Sequence, residues 1–294
     1  MDDQLLIGVD LGGTNVRSGL VYGENLIKTS SIKISSHGTG DEVIAELIQC
    51  IGDVFNNNVK SIGIGVPGIL DTKEGIVYNV QNIPSWKEVH LKSILEQHFN
   101  VPVHVNNDAN CFTAGEWHYG GGKRFENVAG LILGTGVAAG LILNGKLYEG
   151  RNCGAGEFGM LPYMEHNLEF FCSGNYFKHY HNLSGEEVFL NAQNGDALAL
   201  NIFEKYGKHL SVAIKVVLYT VDPDIIILGG SVSKAFSFFK ESLWDHLQDF
   251  PYKPVLKNIL IEPSKVDNVA ILGAAALHFN SNQRLYNSIA QKTS

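Results

Sequence analysis

The stretch LLIGVDLGGTN, residues 5–15, decides the fold that this sequence predicts. An apolar run ends at Asp10, a Gly-Gly-Thr turn follows, and a second alternating segment runs from Val16 to Val21. This order predicts two strands joined by a tight turn, with a carboxylate at the end of the first. Glycines let the backbone approach an anion closely and offer NH donors, so the turn can hold a phosphate. An ordinary β-hairpin is the alternative, because Gly-Gly is a common hairpin turn.

A second segment, GLILGTGVAAGLIL at residues 130–143, repeats this plan, which indicates a duplicated nucleus. Its GTGVAA portion matches a dinucleotide-binding GxGxxA pattern, but an apolar strand follows it where that motif requires a helix. Two more apolar runs end in glycine turns, at Pro67-Gly68 and at Gly229-Gly230. Because ligands bind at strand ends in α/β sheets, the four turns predict a nucleotide cleft between two domains.

The remaining periodicity predicts alternating strands and helices, and hence an α/β unit whose mostly parallel sheet extends the first hairpin. Residues 71–86 are expected to form a loop, and residues 151–184 are expected to be irregular. The glycine run at 120–122 marks a domain break, so we expect a small N-terminal domain at 1–119, joined by a C-terminal helix at about 270–294, and a larger domain at 120–269. Strands are predicted at 28–34, 61–66, 101–105, 128–133, 137–143, 225–228 and 258–262, and helices at 41–55, 89–99, 109–119, 196–221 and 269–279.

Composition limits the classes of partner. The chain has 294 residues, a formal charge of -8 and a pI near 5.7, which argues against nucleic acid and against an anionic membrane surface. Its apolar windows are shorter than the roughly 18 residues that span a bilayer, and Asp2 and Asp3 stand where a secretory signal would be basic. Four cysteines without a CxxC pair indicate reduced thiols and a cytoplasmic protein.

Four polar residues are candidates for chemistry. Asn107 and Asp108 lie at a strand-to-helix junction, where they would serve as a helix N-cap or, alternatively, place Asp108 as a general base for a substrate hydroxyl. Glu157 lies in the glycine-rich loop GAGEFG, and Glu169 follows twelve residues later. Carboxylates accept hydrogen bonds from sugar hydroxyls, so this set suits a polyhydroxyl substrate, although Glu169 alone could be a solvated surface charge.

Together these residues resemble the ROK family of sugar kinases, within the actin/hexokinase/Hsp70-like superfamily. The resemblance covers nearly the whole chain and implies a two-domain actin-like ATPase (ribonuclease H-like) fold, with duplicated hairpin-led domains around a central cleft. It also implies ATP and Mg²⁺ as cofactors, a hexose substrate and a homodimer. The motifs occur in the family's order: DLGGTN at 10–15, GVPGILD at 65–71, NNDANCF at 106–112, LGTGVAAG at 133–140, GAGEFG at 154–159 and DPDIIILGGSVS at 222–233.

The resemblance assigns a role to each matching residue. Asp108 would be the catalytic base and Asp10 would organise Mg²⁺ through water. The nucleotide contacts would be Gly12, Gly13 and Thr14 with the phosphates, Gly134, Thr135 and Gly136 as a second phosphate loop, and Gly229 and Gly230 beside the adenosine. The sugar contacts would be Asn107, Asp108, Glu157 and Glu169, with Asn82 as a weaker one.

The sequence departs from the family pattern at two places. The family's ExGH motif ends here in Met160, and its CxCGxxGCxE zinc segment is replaced by a short stretch without cysteine, so we predict no zinc site. The expected activity is transfer of the γ-phosphoryl group of ATP to a hexose hydroxyl, most simply the 6-hydroxyl of glucose. Met160 keeps open a sugar-sensing regulatory protein with little or no turnover. The sugar itself stays open among glucose, an N-acetylhexosamine, fructose, allose and a β-glucoside.

Overall fold

The computed structural model describes residues 4–292, and the side chains of residues 4–280, and divides the chain into two compact units. Unit 1 contains the chain up to Lys123, the segment Lys146–Ala155 and the chain from Val266 onward; unit 2 contains Arg124–Gly145 and Gly156–Lys265. The strands are Leu5–Leu11 (β1), Asn15–Tyr22 (β2), Asn25–Lys33 (β3), Val59–Val66 (β4), Ile69–Asp71 (β5), Ile76–Tyr78 (β6), Glu88–Val89 (β7), Val103–Asn107 (β8), Val128–Leu133 (β9), Val137–Leu143 (β10), Lys146–Leu147 (β11), Pro162–Tyr163 (β12), His166–Asn167 (β13), Ile225–Gly229 (β14) and Leu260–Pro263 (β15). The helices are Gly40–Gly52 (α1), Leu91–Phe99 (α2), Asp108–Tyr119 (α3), Leu168–Cys172 (α4), Gly174–His181 (α5), Gly185–Gln193 (α6), Ala197–Val221 (α7), Phe236–Leu247 (α8), Lys253–Asn258 (α9) and Val269–Lys292 (α10).

The main sheet of unit 1 has the order β3-β2-β1-β4-β8. Its first three strands pair antiparallel, whereas β1, β4 and β8 run parallel to one another. The hairpin predicted from residues 5–21 is confirmed: Leu11 pairs with Val16, and Gly12 N donates to Asn15 O at 2.9 Å across the turn. Helix α1 packs on this sheet through Val43, Leu47 and Ile51, which are fully buried.

Unit 2 repeats this arrangement. Its strands lie in the order β10-β9-β14-β15, with an antiparallel β9–β10 hairpin and with β9, β14 and β15 parallel. The predicted duplication of the hairpin-led nucleus is therefore confirmed by topology. Helix α7 begins after Asp196, whose carboxylate accepts from Ala199 N, and its buried face packs into the core of this unit.

Two predictions about irregular stretches were wrong. Residues 71–86 contain β6, which joins β5 and β7 in a small sheet, and residues 151–184 contain the β12–β13 hairpin and helices α4 and α5. These elements are too short for a periodic apolar signal. Side-chain caps start the helices instead: Asn167 Oδ1 accepts from Phe170 N, and Ser173 Oγ accepts from Asn175 N. The strand expected at 258–262 is β15, which starts at Leu260 because α9 occupies the residues before it.

The two units divide the chain differently from the expected break at residues 119/120. Unit 1 extends to Lys123 and takes back the segment Lys146–Ala155. Contacts with β8 account for this return, because Glu149 and Cys153 both hydrogen-bond to Asn106. The C-terminal helix begins at Val269, and the last two residues of the predicted helix lie outside the described residues. Across the part of the chain that the structure describes, no helix combines the length and the apolar character needed to cross a membrane.

The small residues of α10 let its backbone approach those of the sheet and of α3. A Cβ atom added to Gly63 of β4 would lie 1.8 Å from Ala274 O. A Cβ atom added to Gly273 would lie 1.7 Å from Cys111 O of α3. Since carbonyl oxygens cannot yield as flexible side chains do, any side chain at these positions would push α10 away.

We predict opposite effects for two glycine substitutions in unit 1. Gly63→Ala should lower the free energy of unfolding by about 1–3 kcal/mol or more, because it overpacks a backbone contact. Gly52→Ala, in helix α1 with nothing within 4 Å of the added Cβ, should raise it by roughly 0.5–1 kcal/mol. Urea unfolding of both variants checks this pair. A Gly63→Ala variant as stable as the wild type would contradict the packing described for α10.

Two buried histidines of unit 1 predict acid sensitivity. Burial lowers the pKa of His104 to about 4, with a contribution from the charges of His278 and Lys92, and burial lowers the pKa of His118 to about 4. In the unfolded chain both imidazoles have a pKa of about 6.5 and take up a proton more readily. These groups therefore leave stability unaffected above about pH 6.5 and lower it as the pH falls from about 6.5 to about 4, by roughly 1.4 kcal/mol per pH unit each.

Urea unfolding between about pH 7 and about pH 5 measures this dependence. His104→Gln should reduce the slope of stability against pH by about one bound proton. His37→Gln, at an exposed position of the same unit, should leave the slope unchanged. An unaltered slope in the His104 variant would show that this buried imidazole does not carry the effect.

Candidate active site

In unit 1 the carboxyl ends of three parallel strands lie side by side. The register pairs Asp10 of β1 with Gly65 of β4, and Val66 of β4 with Asn107 of β8. Asn107 Nδ2 donates to Gly68 O at 3.1 Å, which ties the Pro67-Gly68 turn to the end of β8. The structure therefore brings together the predicted metal carboxylate, one glycine turn and the Asn-Asp junction at one sheet edge.

Asp10 is paired across the hairpin with Arg17. The Arg17 guanidinium donates to Asp10 Oδ2 at 2.5 Å, and the aspartate side chain keeps 19 % of its surface exposed. A partly exposed carboxylate is the kind of single oxygen ligand that Mg²⁺ takes while keeping several of its waters. The donor chemistry of Asp10 thus fits the expected Mg²⁺, and Arg17 holds the carboxylate in one orientation. The sequence analysis did not single out Arg17, although its register opposite Asp10 follows from the predicted hairpin.

The Gly12-Gly13-Thr14 turn is held from two sides. Thr14 O accepts from Ile34 N at 2.9 Å, and the Asn82 side chain lies against Gly13, where an added Cβ would be 2.6 Å from Asn82 Cβ. Asn82 was expected to contact the sugar. The structure places it beside the first phosphate turn, and its role toward a sugar stays a prediction.

Asn107 is the N-cap of α3, so the capping alternative is correct for this residue. Its Oδ1 accepts from Ala109 N at 2.8 Å, and Asp108, the first helical residue, also accepts from Ala109 N through its Oδ1 at 2.9 Å. The Asp108 carboxylate therefore stands at a helix N-terminus, where the positive end of the helix dipole stabilises an anion. Capping by Asn107 leaves Asp108 as the residue of this pair that is suited to accept a proton.

Two aspartates of unit 1, Asp10 and Asp108, act on a common neighbour, Cys111. Burial raises the pKa of this thiol well above its usual value, and the charges of Asp108 and Asp10 raise it further. The thiol is 1 % exposed and so stays protonated beneath the two carboxylates. Asp10 and Asp108 are thus both close enough to Cys111 for their charges to act on its thiol.

In unit 2 the two predicted nucleotide turns follow neighbouring strands. Gly229 of β14 pairs in register with Ile132 of β9, so the Gly229-Gly230 turn lies beside the turn at 134–136. Gly230 has a φ of 82°, and an added Cβ would lie 2.3 Å from Leu133 O, which leaves no room for a side chain there. The structure thus places both turns at the carboxyl edge of this sheet, where α/β proteins bind ligands.

Both predicted sugar carboxylates lie near the second phosphate turn. Glu169 Oε2 accepts from Val137 N at 3.0 Å, and an added Cβ on Gly136 would lie 2.5 Å from that oxygen. Glu157 is an exposed residue whose carboxyl group is partly surrounded by protein. This burial raises the pKa of Glu157, and the charge of Glu169 raises it further. Glu169 is therefore fixed on the turn at 134–136, and the charge of Glu169 acts on Glu157.

A cavity of about 470 Å³ begins where these two turns end. Ser231, which follows Gly230, lines one side, and Gly174, whose N donates to Gly134 O at 2.8 Å, lines another. Its apolar wall contains Phe177, Phe189 and Phe203.

This cavity was not predicted, because Phe177 and Phe189 of its wall belong to α5 and α6, in and after the stretch expected to be irregular. Phe203 comes from helix α7. A capping box at the start of α6, Ser184 with Glu187, was the available signal.

The shortened loop after Met160 is held by ring packing. His166 stacks on Phe170 with centroids 4.0 Å apart, and His179 stacks on Phe170 at 5.2 Å. Met160 itself is 53 % exposed. Among the residues that the structure describes, no cluster of three or more His, Cys, Asp or Glu side chains could hold a metal ion. The expectation of no zinc site stays a prediction.

Comparison with known proteins settles the family. The model of the ROK family matches residues 6–280. The chain belongs to the ROK family. Two relatives are a glucokinase from Thermotoga maritima, 29 % identical over 92 % of this chain and 96 % of its own length, and an N-acetyl-D-glucosamine kinase from Yersinia enterocolitica, 30 % identical over 93 % and 99 %.

A solved structure extends this comparison to the fold. The ROK family glucokinase from Streptomyces griseus, in complex with glucose and AMPPNP, is similar with a TM-score of 0.80 and 25 % identity, over 93 % of this chain and 98 % of that one. The expected actin-like ATPase fold is therefore confirmed for this ROK chain.

Proposed function

We propose that this chain is an ATP-dependent sugar kinase that transfers the γ-phosphoryl group of ATP to a hexose hydroxyl, most simply the 6-hydroxyl of glucose or a related hexose. The observation that carries the proposal is the phenylalanine-lined cavity of unit 2, which Ser231 joins to the end of the Gly229-Gly230 turn. An apolar cavity next to a glycine turn suits a ligand with a flat base at one end and phosphates at the other. Inorganic polyphosphate, as an alternative phosphoryl donor, has no such base and would leave the cavity empty.

The proposal assigns each part of ATP to a feature of the chain. The adenine ring occupies the cavity, Gly229 and Gly230 lie beside the adenosine, and the turns at 134–136 and 12–14 donate backbone NH groups to the phosphates. When Mg²⁺ is bound, it neutralises charge on the β- and γ-phosphates, and Asp10 would hold it through water. The similar glucokinase from Streptomyces griseus supports ATP as the donor, since it forms a complex with AMPPNP.

In the proposal, the sugar is bound by side chains that accept hydrogen bonds from its hydroxyl groups. Glu157 and Glu169 accept hydrogen bonds from the sugar, with Asn107 and, more weakly, Asn82 as further contacts. Known relatives that phosphorylate glucose and N-acetylglucosamine support a hexose, without choosing between these two sugars. The family resemblance further leads us to propose a cytoplasmic homodimer.

The proposed reaction needs one base. Asp108 accepts the proton of the sugar hydroxyl as the hydroxyl oxygen attacks the γ-phosphorus; a new P–O bond forms, the bond to the β-phosphate oxygen breaks, and ADP leaves. Asp108 stands at the N-terminus of α3, where the positive end of the helix dipole lies beside its carboxylate. Arg17 contributes by orienting Asp10. Positioning and charge stabilisation supply most of the rate enhancement in such transfers.

A sugar-sensing regulatory protein with little turnover is the second candidate, and Met160 is the residue that favours it. The methionine stands where the family pattern has a histidine expected to contact the sugar. Release of ADP in a panel of hexoses separates the candidates: sugar-dependent ADP supports the kinase, whereas binding of a sugar without ADP release supports the sensor.

Asp108→Asn tests the proposed base. The variant should fold normally, because an amide oxygen can still accept from Ala109 N, and its kcat should fall by a factor on the order of 10² or more. Steady-state kinetics with the preferred sugar measures this loss. Asp41→Asn, at an exposed aspartate in the first turn of helix α1, is the matched control and should keep full activity. Near-normal turnover of the Asp108 variant would rule out this residue as the base.

Phe189→Ala tests the cavity. Loss of one aromatic wall should raise KM for ATP roughly 5- to 100-fold, given about 1–3 kcal/mol for a base stacked on an aromatic ring, while KM for the sugar stays the same. Phe55→Ala removes a half-buried phenylalanine from unit 1 and serves as the control for general loss of packing. An unchanged KM for ATP in the Phe189 variant would mean that the base binds elsewhere.

A further inference from the structure

A buried chain of hydrogen bonds lies behind the Asn107-Asp108 junction. Asn106, which is 2 % exposed, donates from Nδ2 to Glu149 Oε1 at 2.7 Å. Glu149 is 8 % exposed, and its Oε2 accepts from Thr72 Oγ1 at 3.1 Å. The carboxylate therefore links the end of β8 to the segment after β5, and it comes from the segment Lys146–Ala155 that the sequence placed in the other domain.

The amide oxygen of Asn106 faces the opposite way and collects three donors. It accepts from Asn107 N at 2.8 Å, from Asn110 Nδ2 at 2.9 Å and from Cys153 Sγ at 3.1 Å. Two of these donors belong to residues on either side of Asp108. One side chain thus holds the last residue of the strand and the first turn of the helix at the same time.

The orientation of the Asn106 amide depends on Glu149. A carboxylate oxygen accepts hydrogen bonds, so Glu149 turns the NH₂ group of Asn106 toward itself and the oxygen toward the three donors. With the amide reversed, its NH₂ group would point at the donors, and buried polar groups would lose their partners. Glu149 therefore selects the arrangement in which the backbone of Asn107 is held.

The backbone conformation of Cys153 also indicates that the segment Lys146–Ala155 is held in place. This residue has a φ of 58°, a left-handed conformation that costs a non-glycine residue energy and persists only where surrounding contacts enforce it. Its thiol donates to Asn106 and its sulfur accepts from Asn110 Nδ2 at 3.4 Å. The returning segment is thus held in a specific conformation against the junction.

We propose that Glu149 and Asn106 form a positioning pair that fixes Asp108 for proton transfer. Asn106 and Glu149 are 2 % and 8 % exposed, and their hydrogen bonds lead to Asn107 and the first turn of α3, so they act through Asn107 and Asp108. The inference rests on the proposed kinase function for its catalytic part, whereas the hydrogen-bond arrangement can be measured without any activity.

Exchange of donor and acceptor tests the pair. In Glu149→Gln an NH₂ group can face the NH₂ group of Asn106, and in Asn106→Asp two carboxylates face each other. Each single variant should therefore lose kcat on the order of tenfold, whereas KM for the sugar and for ATP should stay within about twofold of the wild type. The double variant Asn106→Asp with Glu149→Gln restores one donor and one acceptor in reversed order and should recover most of kcat. Glu46→Gln, a surface carboxylate of unit 1 that accepts from Ser35, should behave as wild type.

Hydrogen exchange gives the readout that does not need turnover. The amides of Asn107 and Ala109 should exchange faster in the single variants and return toward the wild-type rate in the double variant, at similar melting temperatures. Single variants with unchanged exchange and kcat, or a folded double variant without recovery, would overturn the positioning role. A wild type that releases no ADP with any hexose would overturn the proposed kinase and the catalytic part of this inference, and the exchange rates would still decide whether the pair holds the junction.

Discussion

The register of the parallel strands β1, β4 and β8 is the constraint on which the candidate site depends. Backbone hydrogen bonds place Asp10 opposite Gly65 and Val66 opposite Asn107, so that a metal-type carboxylate, a glycine turn and a helix N-terminus end at the same level. A shift by one residue would turn every side chain to the other face of the sheet. The close contact between Gly63 and the backbone of α10 opposes such a shift, because a residue with a side chain at that position would collide with the helix.

Local patterns in the sequence were enough to predict the hairpin and the main helix of each unit. Hairpins at residues 5–21 and 128–143, the long helix before Asp222 and the small-residue helix after Val269 were predicted correctly, because each depends on periodicity or on a turn within one stretch. Asp108 could be found for the same reason, since an Asn-Asp pair at the end of an apolar run marks a junction in any α/β chain.

The parts that could not be predicted depend on distant residues or on short elements. Glu149 belongs to unit 1 through contacts with Asn106, and nothing in its own neighbourhood of sequence indicates that return. Helices α4 and α5 were missed because caps at Asn167 and Ser173 define them, with too few turns for a period to emerge. Phe177 of the cavity wall was missed together with α5, so the sequence indicated glycine turns without the cavity beside them.

The central claim is that phosphoryl transfer to a sugar takes place on this chain, and the product tests it most directly. The protein, ATP, Mg²⁺ and each of several hexoses can be followed together by ³¹P NMR, which distinguishes a sugar phosphate from inorganic phosphate. The account predicts a new phosphomonoester that appears with at least one hexose, in step with ADP, and that is absent without sugar. Inorganic phosphate alone, or no reaction with any hexose, would contradict it.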